Sequence, residues 1–377
     1  MSNIRIAVIL GTRPEIIKMS PIIRELEKRE LNYFILHTGQ HYSYNLDQVF
    51  FKQLNLPQPR YNLNIGSGTH AEETGKMLIG IEKVLQKENP SVVLVEGDTN
   101  SVLAGALAAC KLLIKVGHVE AGLRSYDREM PEEINRVLTD HISDYLFAPT
   151  EKAKQNLLRE GIKEEKIFVT GNTIVDAVMQ NIKLAKNLEL PSFIQTLEEY
   201  FLVTLHRQEN VDREKRLRKI IKGLELIARE YEIPIIYPIH PRTLKRIKEF
   251  SIKINKKLIK IIKPLDYLTF LKLLSNAKLV LTDSGGIQEE SCILKVPCVT
   301  LRYNTERPET LEVGSNILAG TEPDSILEKT KIMINKKRNW KNPFGDGKAA
   351  KRIVDILLKN WSETIYVKTS ATDFKVR

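Results

Sequence analysis

Acidic side chains follow two apolar runs in the first half of the chain, and a third lies at a later helix start, at positions where they could transfer protons. Asp98 follows "VVLVEG", Glu120 follows "KVGH", and Glu132 lies in the segment "PEEINR". A carboxyl group held at the end of a strand is a candidate general acid or base, because it can give or take a proton at a reacting carbon. Two of these acids also have a structural interpretation, since Asp98 could cap a helix and Glu132 could complement a helix dipole.

Cationic side chains occur near the same segments and in the second half of the chain. Arg13 and Lys18 lie in "GTRPEIIKMSP", and Arg136 lies in "PEEINR". The second half contributes His206, Arg207, His240 and Arg307, each just after an apolar run. A single histidine at a strand end is more often structural, whereas an arginine beside His206 favours a loop that faces an anion.

The stretch "KLVLTDSGGIQEE", residues 278–290, is typical of a phosphate-binding turn. The Ser284-Gly285-Gly286 turn follows a strand and begins a helix, so backbone N–H groups and the helix dipole can attract an anion. Glu290 lies about one turn into this helix, where a carboxylate can accept hydrogen bonds from ribose hydroxyls. The stretch therefore predicts a nucleotide ligand, with Glu289 directed elsewhere.

Short apolar runs alternate with amphipathic segments along the whole chain, which indicates an α/β fold with parallel sheets. One series runs from "IRIAVIL" to "FVTGNTIVDAV", and a second runs from "YFLVTLH" to "VPCVTLR". We therefore predict two doubly wound, Rossmann-like domains over residues 1–170 and 171–346. A helix over 347–361 is expected to follow, and 362–377 to form a polar tail. Because ligands bind at the carboxyl ends of such strands, we expect the acids and the cations to converge on an interdomain cleft.

The composition excludes several classes of protein. The chain has 377 residues, of which 42% are hydrophobic and 28% charged, as in soluble globular proteins. No apolar run approaches the roughly 20 residues of a membrane span, and the N-terminal segment lacks the features of a signal peptide. Cys110, Cys292 and Cys298 have no metal-ligand spacing. They indicate reduced core thiols and a cytoplasmic protein.

The net charge of +11 raises the question of nucleic acid binding. The lysines are spread over segments such as "KKLIKIIK", with few aromatic residues between them. This pattern favours solvated helix surfaces over a nucleic-acid groove, and the positive charge would also suit a diphosphate ligand. We therefore expect neither a nucleic acid nor a membrane as partner.

Taken together, these motifs resemble those of the non-hydrolysing UDP-N-acetylglucosamine 2-epimerases. The segments "GTRPEIIKMSP", "GDTNSVLAGALAA", "GHVEAGLR", "PEEINR", "TGNTIVDA", "LTDSGGIQEE" and "TERPE" occur in the family's order over about residues 4–360. The resemblance implies two Rossmann-like domains in the glycosyltransferase-B arrangement, with the last helix returning to the first domain. It also implies a cytoplasmic homodimer that needs neither a nicotinamide cofactor nor a metal.

The resemblance implies inversion at C2 of the sugar, which interconverts UDP-N-acetylglucosamine and UDP-N-acetylmannosamine. In this family UDP is eliminated across C1–C2 to give 2-acetamidoglucal, and it then adds back. By position, the resemblance implies that Asp98, Glu120 and Glu132 act on the sugar, with Lys18 and Arg136 orienting them. It further implies that Arg13, His206, Arg307 and the Ser284-Gly286 turn hold the diphosphate and that Glu290 holds the ribose. The sequence does not decide which carboxylate removes the C2 proton.

Other interpretations remain open. The segments "HTGQHYSYN" and "EAGLRSYDREMPEE" also resemble the branch that acts on UDP-2,3-diacetamido-glucuronic acid. Some bacterial members bind a second UDP-N-acetylglucosamine as an activator, and Gln40, His41 and His240 lie where such contacts would be. A glycosyltransferase of the same fold would need an acceptor site and would not need three acids. A non-catalytic UDP-sugar sensor could likewise dispense with the acids.

Overall fold

The computed structural model describes residues 4–39 and 44–373. The chain forms two compact units, one of residues 1–177 with 344–377 and the other of residues 178–343. Each unit contains a parallel sheet with helices, which confirms the predicted α/β fold. The sequence-based boundaries were residues 170 and 347, and the structure changes unit at 177 and 344 instead.

The first unit is built on a seven-stranded parallel sheet. Its strands are β1 Arg5–Leu10, β2 Asn32–His37, β3 Tyr61–Asn62, β4 Val92–Glu96, β5 Lys115–Val119, β6 Tyr145–Ala148 and β7 Ile167–Val169. Its helices are α1 Arg13–Lys28, α2 Tyr44–Gln53, α3 His70–Glu88, α4 Asn100–Lys111, α5 Pro131–Ile142 and α6 Glu151–Arg159. The strand order β3-β2-β1-β4-β5-β6-β7 reverses between β1 and β4. Such a reversal leaves a crevice at the carboxyl ends of the two strands.

The second unit is built on a six-stranded parallel sheet. The chain enters it within α7 Thr173–Ala185 and continues through α8 Ser192–Gln195, β8 Phe201–Thr204, α9 Gln208–Val211, α10 Glu214–Tyr231, β9 Ile235–Pro238, α11 Pro241–Glu249 and β10 Ile259–Ile262. Then follow α12 Tyr267–Asn276, β11 Leu279–Thr282, α13 Gly285–Ile293, β12 Cys298–Thr300, α14 Pro308–Glu312, β13 Asn316–Leu318 and α15 Pro323–Ile334. The order β10-β9-β8-β11-β12-β13 reverses between β8 and β11.

The strands beside each reversal are apolar because helices cover both faces of the sheets. Strands β4 and β11 are buried along their whole length, and β1 is buried from Ile6 onward. Glu96 differs from the other buried residues of these strands, since this last residue of β4 is a carboxylic acid. A buried acid at the carboxyl end of a switch-point strand is a feature that packing alone does not explain.

The C-terminal helix, α16 Ala349–Asp373, belongs to the first unit. The carboxylate of Asp176 accepts hydrogen bonds from the backbone N–H groups of Ala349 at 3.1 Å and Ala350 at 3.0 Å, at the start of α16. Asp355 forms an ion pair of 2.6 Å with Arg29 at the end of α1. The predicted polar tail over 362–377 differs from the structure, in which the helix continues to Asp373. The segment 362–373 contains neither glycine nor proline to end it.

Two strands, β3 and β13, were not predicted. They have two and three residues, which is too short for a hydrophobic period to appear in the sequence. Both lie at an edge of their sheet, away from the reversals. In the described part of the chain, no helix combines the length and apolar composition that crossing a bilayer would require.

Candidate active site

A buried glutamate, Glu15, joins the two loops at the reversal in the first sheet. Its carboxylate accepts hydrogen bonds from the N–H of Gly11 at 2.5 Å and from the hydroxyls of Thr12 at 3.0 Å and Thr99 at 2.6 Å. Burial raises the pKa of Glu15 to about 7, against the lowering effect of these hydrogen bonds. The loop after β1 is thereby fixed to the loop that carries Asp98.

Glu120 lies directly after β5 with an unusual backbone. Its φ of 69° falls in the left-handed region, which is costly for a residue with a Cβ and is often found at functional sites. The side chain is buried, pairs with the ammonium of Lys18, and lies 3.4 Å from Nδ2 of Asn172. The structure therefore brings Lys18 to Glu120, and it adds Asn172, which was not predicted.

Asp98 is held from the side by helix α5. The guanidinium of Arg136 pairs with the Asp98 carboxylate, and Nδ2 of Asn135 donates to the Asp98 carbonyl at 2.9 Å. Arg136 also donates to Glu133 at 2.9 Å. Although burial would raise it, hydrogen bonds from Ser125 and Arg136 hold the pKa of Glu133 below its usual value. Arg136 thus orients Asp98 and is itself anchored by Glu133.

Two predicted residues of the first unit lie outside this set of buried contacts. Glu132 is in the first turn of α5 with its side chain exposed, and Arg13 is exposed at the start of α1. A carboxylate at a helix N-terminus complements the helix dipole, as Glu132 does in α5, whereas a guanidinium such as that of Arg13 does not. Their roles in catalysis and binding stay predictions.

The turns after β4 and β5 are joined beneath the acids by a buried imidazole. His118 lies with Nδ1 2.6 Å from Asp140 and Nε2 2.8 Å from the carbonyl of Gly97. The other oxygen of Asp140 accepts from the N–H of Gly122 at 3.1 Å. The network therefore connects the residue before Asp98 to the turn that follows Glu120.

In the second unit, a buried aspartate fixes the loop after β8. Asp283 accepts hydrogen bonds from the backbone N–H of His206, at 3.2 Å to each oxygen, and from that of Arg207 at 3.0 Å. Asn210 donates to the same carboxylate at 3.2 Å, and Nδ1 of His206 lies 3.4 Å from it. Partial burial lowers the pKa of the His206 imidazole, and Asp283 opposes this effect. Asp283 thus positions His206 although the sequence assigned it no role.

The Ser284-Gly286 turn begins α13 as predicted from the stretch that contains it. Helix α13 starts at Gly285 with Ser284 as its N-cap, and the Ser284 N–H donates to the Thr282 hydroxyl at 3.0 Å. A Cβ added at Gly286 would meet only the Ser284 hydroxyl, at 3.9 Å. Space beside an exposed glycine at a helix N-terminus is what close approach of an anion requires.

Arginine side chains form ion pairs near this turn. Glu306 accepts from Arg207 at 2.7 Å and from Arg302 at 2.6 Å, and a Cβ on Gly285 would lie 2.8 Å from its carboxylate. Although burial would raise it, these arginines lower the pKa of Glu306 to about 2. Arg307 is buried and pairs with the buried Glu289 at 2.7 Å. Its predicted contact with a diphosphate stays a prediction.

The remaining predicted residues have different outcomes. Glu290 is buried within α13, and its ribose contact stays a prediction. His240 is the N-cap of α11, because its Nδ1 accepts from the N–H of Arg242 at 3.2 Å. That arrangement agrees with the structural interpretation of a strand-end histidine. Gln40 and His41, the other predicted effector contacts, lie outside the described residues.

Sequence reasoning missed residues that contact the predicted residues or the loops that carry them. These are Glu15, Glu96, Asn172, Asp283 and Glu306. All except Asn172 are acids within four residues of a predicted one. An acid at the end of an apolar run is the signal that could have identified Glu96 and Asp283.

Replacing Gly286 with valine is expected to weaken UDP binding by about 10- to 100-fold, the loss expected for one hydrogen bond to a charged group. The Cβ has space in the free protein, so the temperature of thermal unfolding should hardly change. Calorimetry with UDP would measure the affinity. Gly75→Val is a control at another open glycine, in α3 of the first unit. If Gly286→Val and Gly75→Val both bind UDP with the affinity of the wild type, the turn has a purely structural role.

Comparison with known proteins gives a consistent result. Residues 24–358 match the family model described as UDP-N-acetylglucosamine 2-epimerase. A UDP-N-acetylglucosamine 2-epimerase of Methanocaldococcus jannaschii is 65% identical over 361 residues, covering 94% of this chain and 98% of the relative. A UDP-2,3-diacetamido-2,3-dideoxy-D-glucuronate 2-epimerase of Pseudomonas aeruginosa is 42% identical over 359 residues, covering 94% and 99%.

A solved structure matches the fold over the same range. The crystal structure of the Methanocaldococcus jannaschii UDP-GlcNAc 2-epimerase, in complex with UDP-GlcNAc and UDP, has a TM-score of 0.86. It is 65% identical and covers 94% of this chain and 100% of its own. This likeness agrees with the glycosyltransferase-B type of fold that the sequence motifs implied. The chain belongs to the UDP-N-acetylglucosamine 2-epimerase family.

Proposed function

We propose that this protein interconverts UDP-N-acetylglucosamine and UDP-N-acetylmannosamine without hydrolysing them. A base removes the proton from C2, the C1–O bond breaks, and UDP leaves with the bonding electron pair to give 2-acetamidoglucal. UDP then adds back at C1 while C2 receives a proton on the opposite face. The proton and the electron pair are both returned, so the reaction needs no oxidant or reductant.

The observation that carries this proposal is the 65% identity, over 94% of the chain, to a UDP-N-acetylglucosamine 2-epimerase. The solved structure of similar identity is a complex with UDP-GlcNAc and UDP, which supports the same nucleotide sugar as ligand here. Two buried or half-buried acids held by cations, Asp98 with Arg136 and Glu120 with Lys18, fit a reaction that moves protons at carbon. A sensor or a glycosyltransferase would not require them.

In this proposal the first unit acts on the sugar. Asp98, Glu120 and Glu132 are the acid and base candidates, and Lys18 and Arg136 fix the first two in place. A carboxylate held by an ammonium or guanidinium is fixed in one orientation, which suits a base that must reach one C–H bond. Glu15 and His118 hold the loops that carry these acids.

The second unit, in this proposal, binds UDP as both substrate part and leaving group. The Ser284-Gly286 turn and the N-terminus of α13 would hold the diphosphate with His206, Arg207 and Arg307. Glu290 would accept hydrogen bonds from the ribose. Donors directed at the diphosphate stabilise the charge that develops as the C1–O bond breaks.

Incubation with UDP-N-acetylglucosamine in deuterated water tests the reaction. Proton NMR should reveal deuterium at C2 of the product, with traces of 2-acetamidoglucal and free UDP, because the C2 proton exchanges with solvent during elimination. Product without deuterium would exclude this mechanism. Turnover of the diacetamido-glucuronate in place of UDP-N-acetylglucosamine would select the alternative substrate, which the 42% identical relative supports.

Replacing His206 with asparagine is expected to lower both UDP affinity and kcat/KM by about tenfold or more, the value of one charged hydrogen bond. The reason is that a contact to the diphosphate is made in substrate and transition state alike. His141→Asn is the control, with its oligomeric state checked by light scattering, since His141 is exposed on α5 of the first unit. Normal UDP affinity with lost turnover in His206→Asn would instead make His206 a proton carrier.

We further infer that two copies of the chain form a homodimer through helices α3 and α5. Both helices pack against α4, and they expose Ile79, Ile134 and Leu138 at 57%, 43% and 47%. Large exposed apolar side chains on neighbouring helices are typical of subunit interfaces. Light scattering of a Leu138→Glu variant should then give a monomer, and Ile332→Glu, at an exposed site on α15, should leave a dimer.

A further inference from the structure

Glu96 is a buried acid that the roles described above do not use. It is the last residue of β4, its exposed fraction is 2%, and it pairs in the sheet with Val119, the residue before Glu120. Glutamate is rarely buried to this extent without a paired charge. Its surroundings therefore determine in which ionisation state it can exist there.

One cation, Lys18, serves two carboxyl groups at this point. The Lys18 ammonium pairs with Oε2 of Glu120 and lies 3.3 Å from Oε1 of Glu96. The side chains of Lys18, Glu96 and Glu120 are exposed to only 13%, 2% and 6%. If both carboxyls were ionised, the three groups would carry a net negative charge out of water, which is unfavourable.

The other charged groups near Glu96 come from four elements. Helix α1 contributes Glu15 beside Lys18, and the loop after β4 contributes Asp98, which is paired with Arg136 of α5. Strand β5 leads into Glu120, and its His118 is directed at Gly97 and Asp140. Burial raises the pKa of Glu96 well above its usual range, and the neighbouring carboxylates add to this effect while Lys18 opposes it. When Glu96 is neutral, the Lys18 ammonium forms an ion pair with Glu120 alone.

We propose that Glu96 is a positioning residue for proton transfer, which acts through Lys18 to set how firmly the ammonium holds the carboxylate of Glu120. While Glu96 is neutral, Lys18 and Glu120 form a one-to-one ion pair. When Glu96 ionises, the ammonium is shared between two carboxylates and its hold on Glu120 weakens. The inference rests on the proposed function for the role of Glu120.

Infrared spectroscopy of the free protein tests the ionisation state without any substrate. Glu96→Gln keeps the shape but removes the acid, so it should remove one C=O stretching band of a protonated carboxylic acid that the wild type shows at neutral pH. Glu88→Gln is the matched control, because Glu88 is also buried in the first unit, and its hydrogen bond to Tyr61 and its pairing with Arg5 lower its pKa. Glu88→Gln should keep this band. Glu15, whose pKa is also raised by burial, should contribute the same C=O intensity in both variants.

Kinetics test whether Glu96 acts through Lys18. The ratio of kcat in Glu96→Gln to kcat in the wild type should be constant at low pH and should change above the ionisation of Glu96. The ratio is expected to change by about tenfold, a small part of the 10²- to 10⁴-fold that a general acid or base contributes. UDP affinity should be equal in the two proteins. A constant ratio at every pH would overturn the proposal even if the infrared band is lost.

A second variant covers the case in which Glu96→Gln does not fold. Glu96→Asp keeps the acid but withdraws it from Lys18 by one methylene, so the band should remain and the pH dependence of its kcat ratio should be weaker.

An unchanged spectrum in Glu96→Gln would also overturn the proposal. Failure of the deuterium experiment would remove the proposed reaction instead, and it would leave the infrared result standing.

Discussion

Replacing Glu120 with glutamine is expected to lower kcat by about 10²- to 10⁴-fold, the usual contribution of a general acid or base. Glutamine keeps the shape of the side chain, and its oxygen can still accept from Lys18 and Asn172. It cannot accept the C2 proton. UDP affinity should change little, because Glu120 is assigned to the sugar and not to the diphosphate or the ribose. Initial rates of epimerisation and calorimetry with UDP would measure the two effects.

Comparison with two other variants makes this result specific. Glu151→Gln removes an exposed carboxylate on α6 of the same unit and should have wild-type kcat. Asp98→Asn should lose activity to a degree similar to Glu120→Gln if both acids move protons. A Glu120→Gln protein with near-normal turnover would leave Asp98 and Glu132 as the only candidates, and the left-handed backbone of Glu120 would then have a purely structural cause.

Replacing Gly122 with alanine is expected to lower the free energy of unfolding by about 2–5 kcal/mol, from backbone strain and overpacking together. Its φ is 83°, in the region that favours glycine. The added Cβ would lie against the carbonyl oxygen of Ala153 and 2.8 Å from Cγ of Leu157, both on α6. Urea unfolding would measure the loss.

Gly161→Ala separates the two contributions. Gly161 has nearly the same φ, 82°, but a Cβ there would have no atom within 4 Å. Its cost should be only the strain term of about 1–2 kcal/mol. Because the Gly122 N–H donates to Asp140 beneath Glu120, Gly122→Ala should also reduce kcat, whereas Gly161→Ala should not. Equal losses of stability in the two variants would mean that α6 shifts to accommodate the added methyl group.

The sequence alone determined the class of fold and the positions of most candidate residues. Buried strands of parallel sheets are continuous apolar runs, so their ends can be located from composition. Ligands in such sheets bind at those ends. These two rules predict the positions of Asp98, Glu120 and the Ser284-Gly286 turn, and the structure puts them after β4, β5 and β11.

Tertiary structure decided which of these groups are partnered and by what. Lys18 lies on α1, yet it pairs with Glu120 more than a hundred residues away, and Arg136 of α5 pairs with Asp98. Such pairings depend on strand order and on how helices pack, and no local period in the sequence encodes them. For the same reason, the sequence identifies Glu96 only as the last residue of an apolar run. Its burial and its share in the charge of Lys18 arise only when β4, β5 and α1 come together.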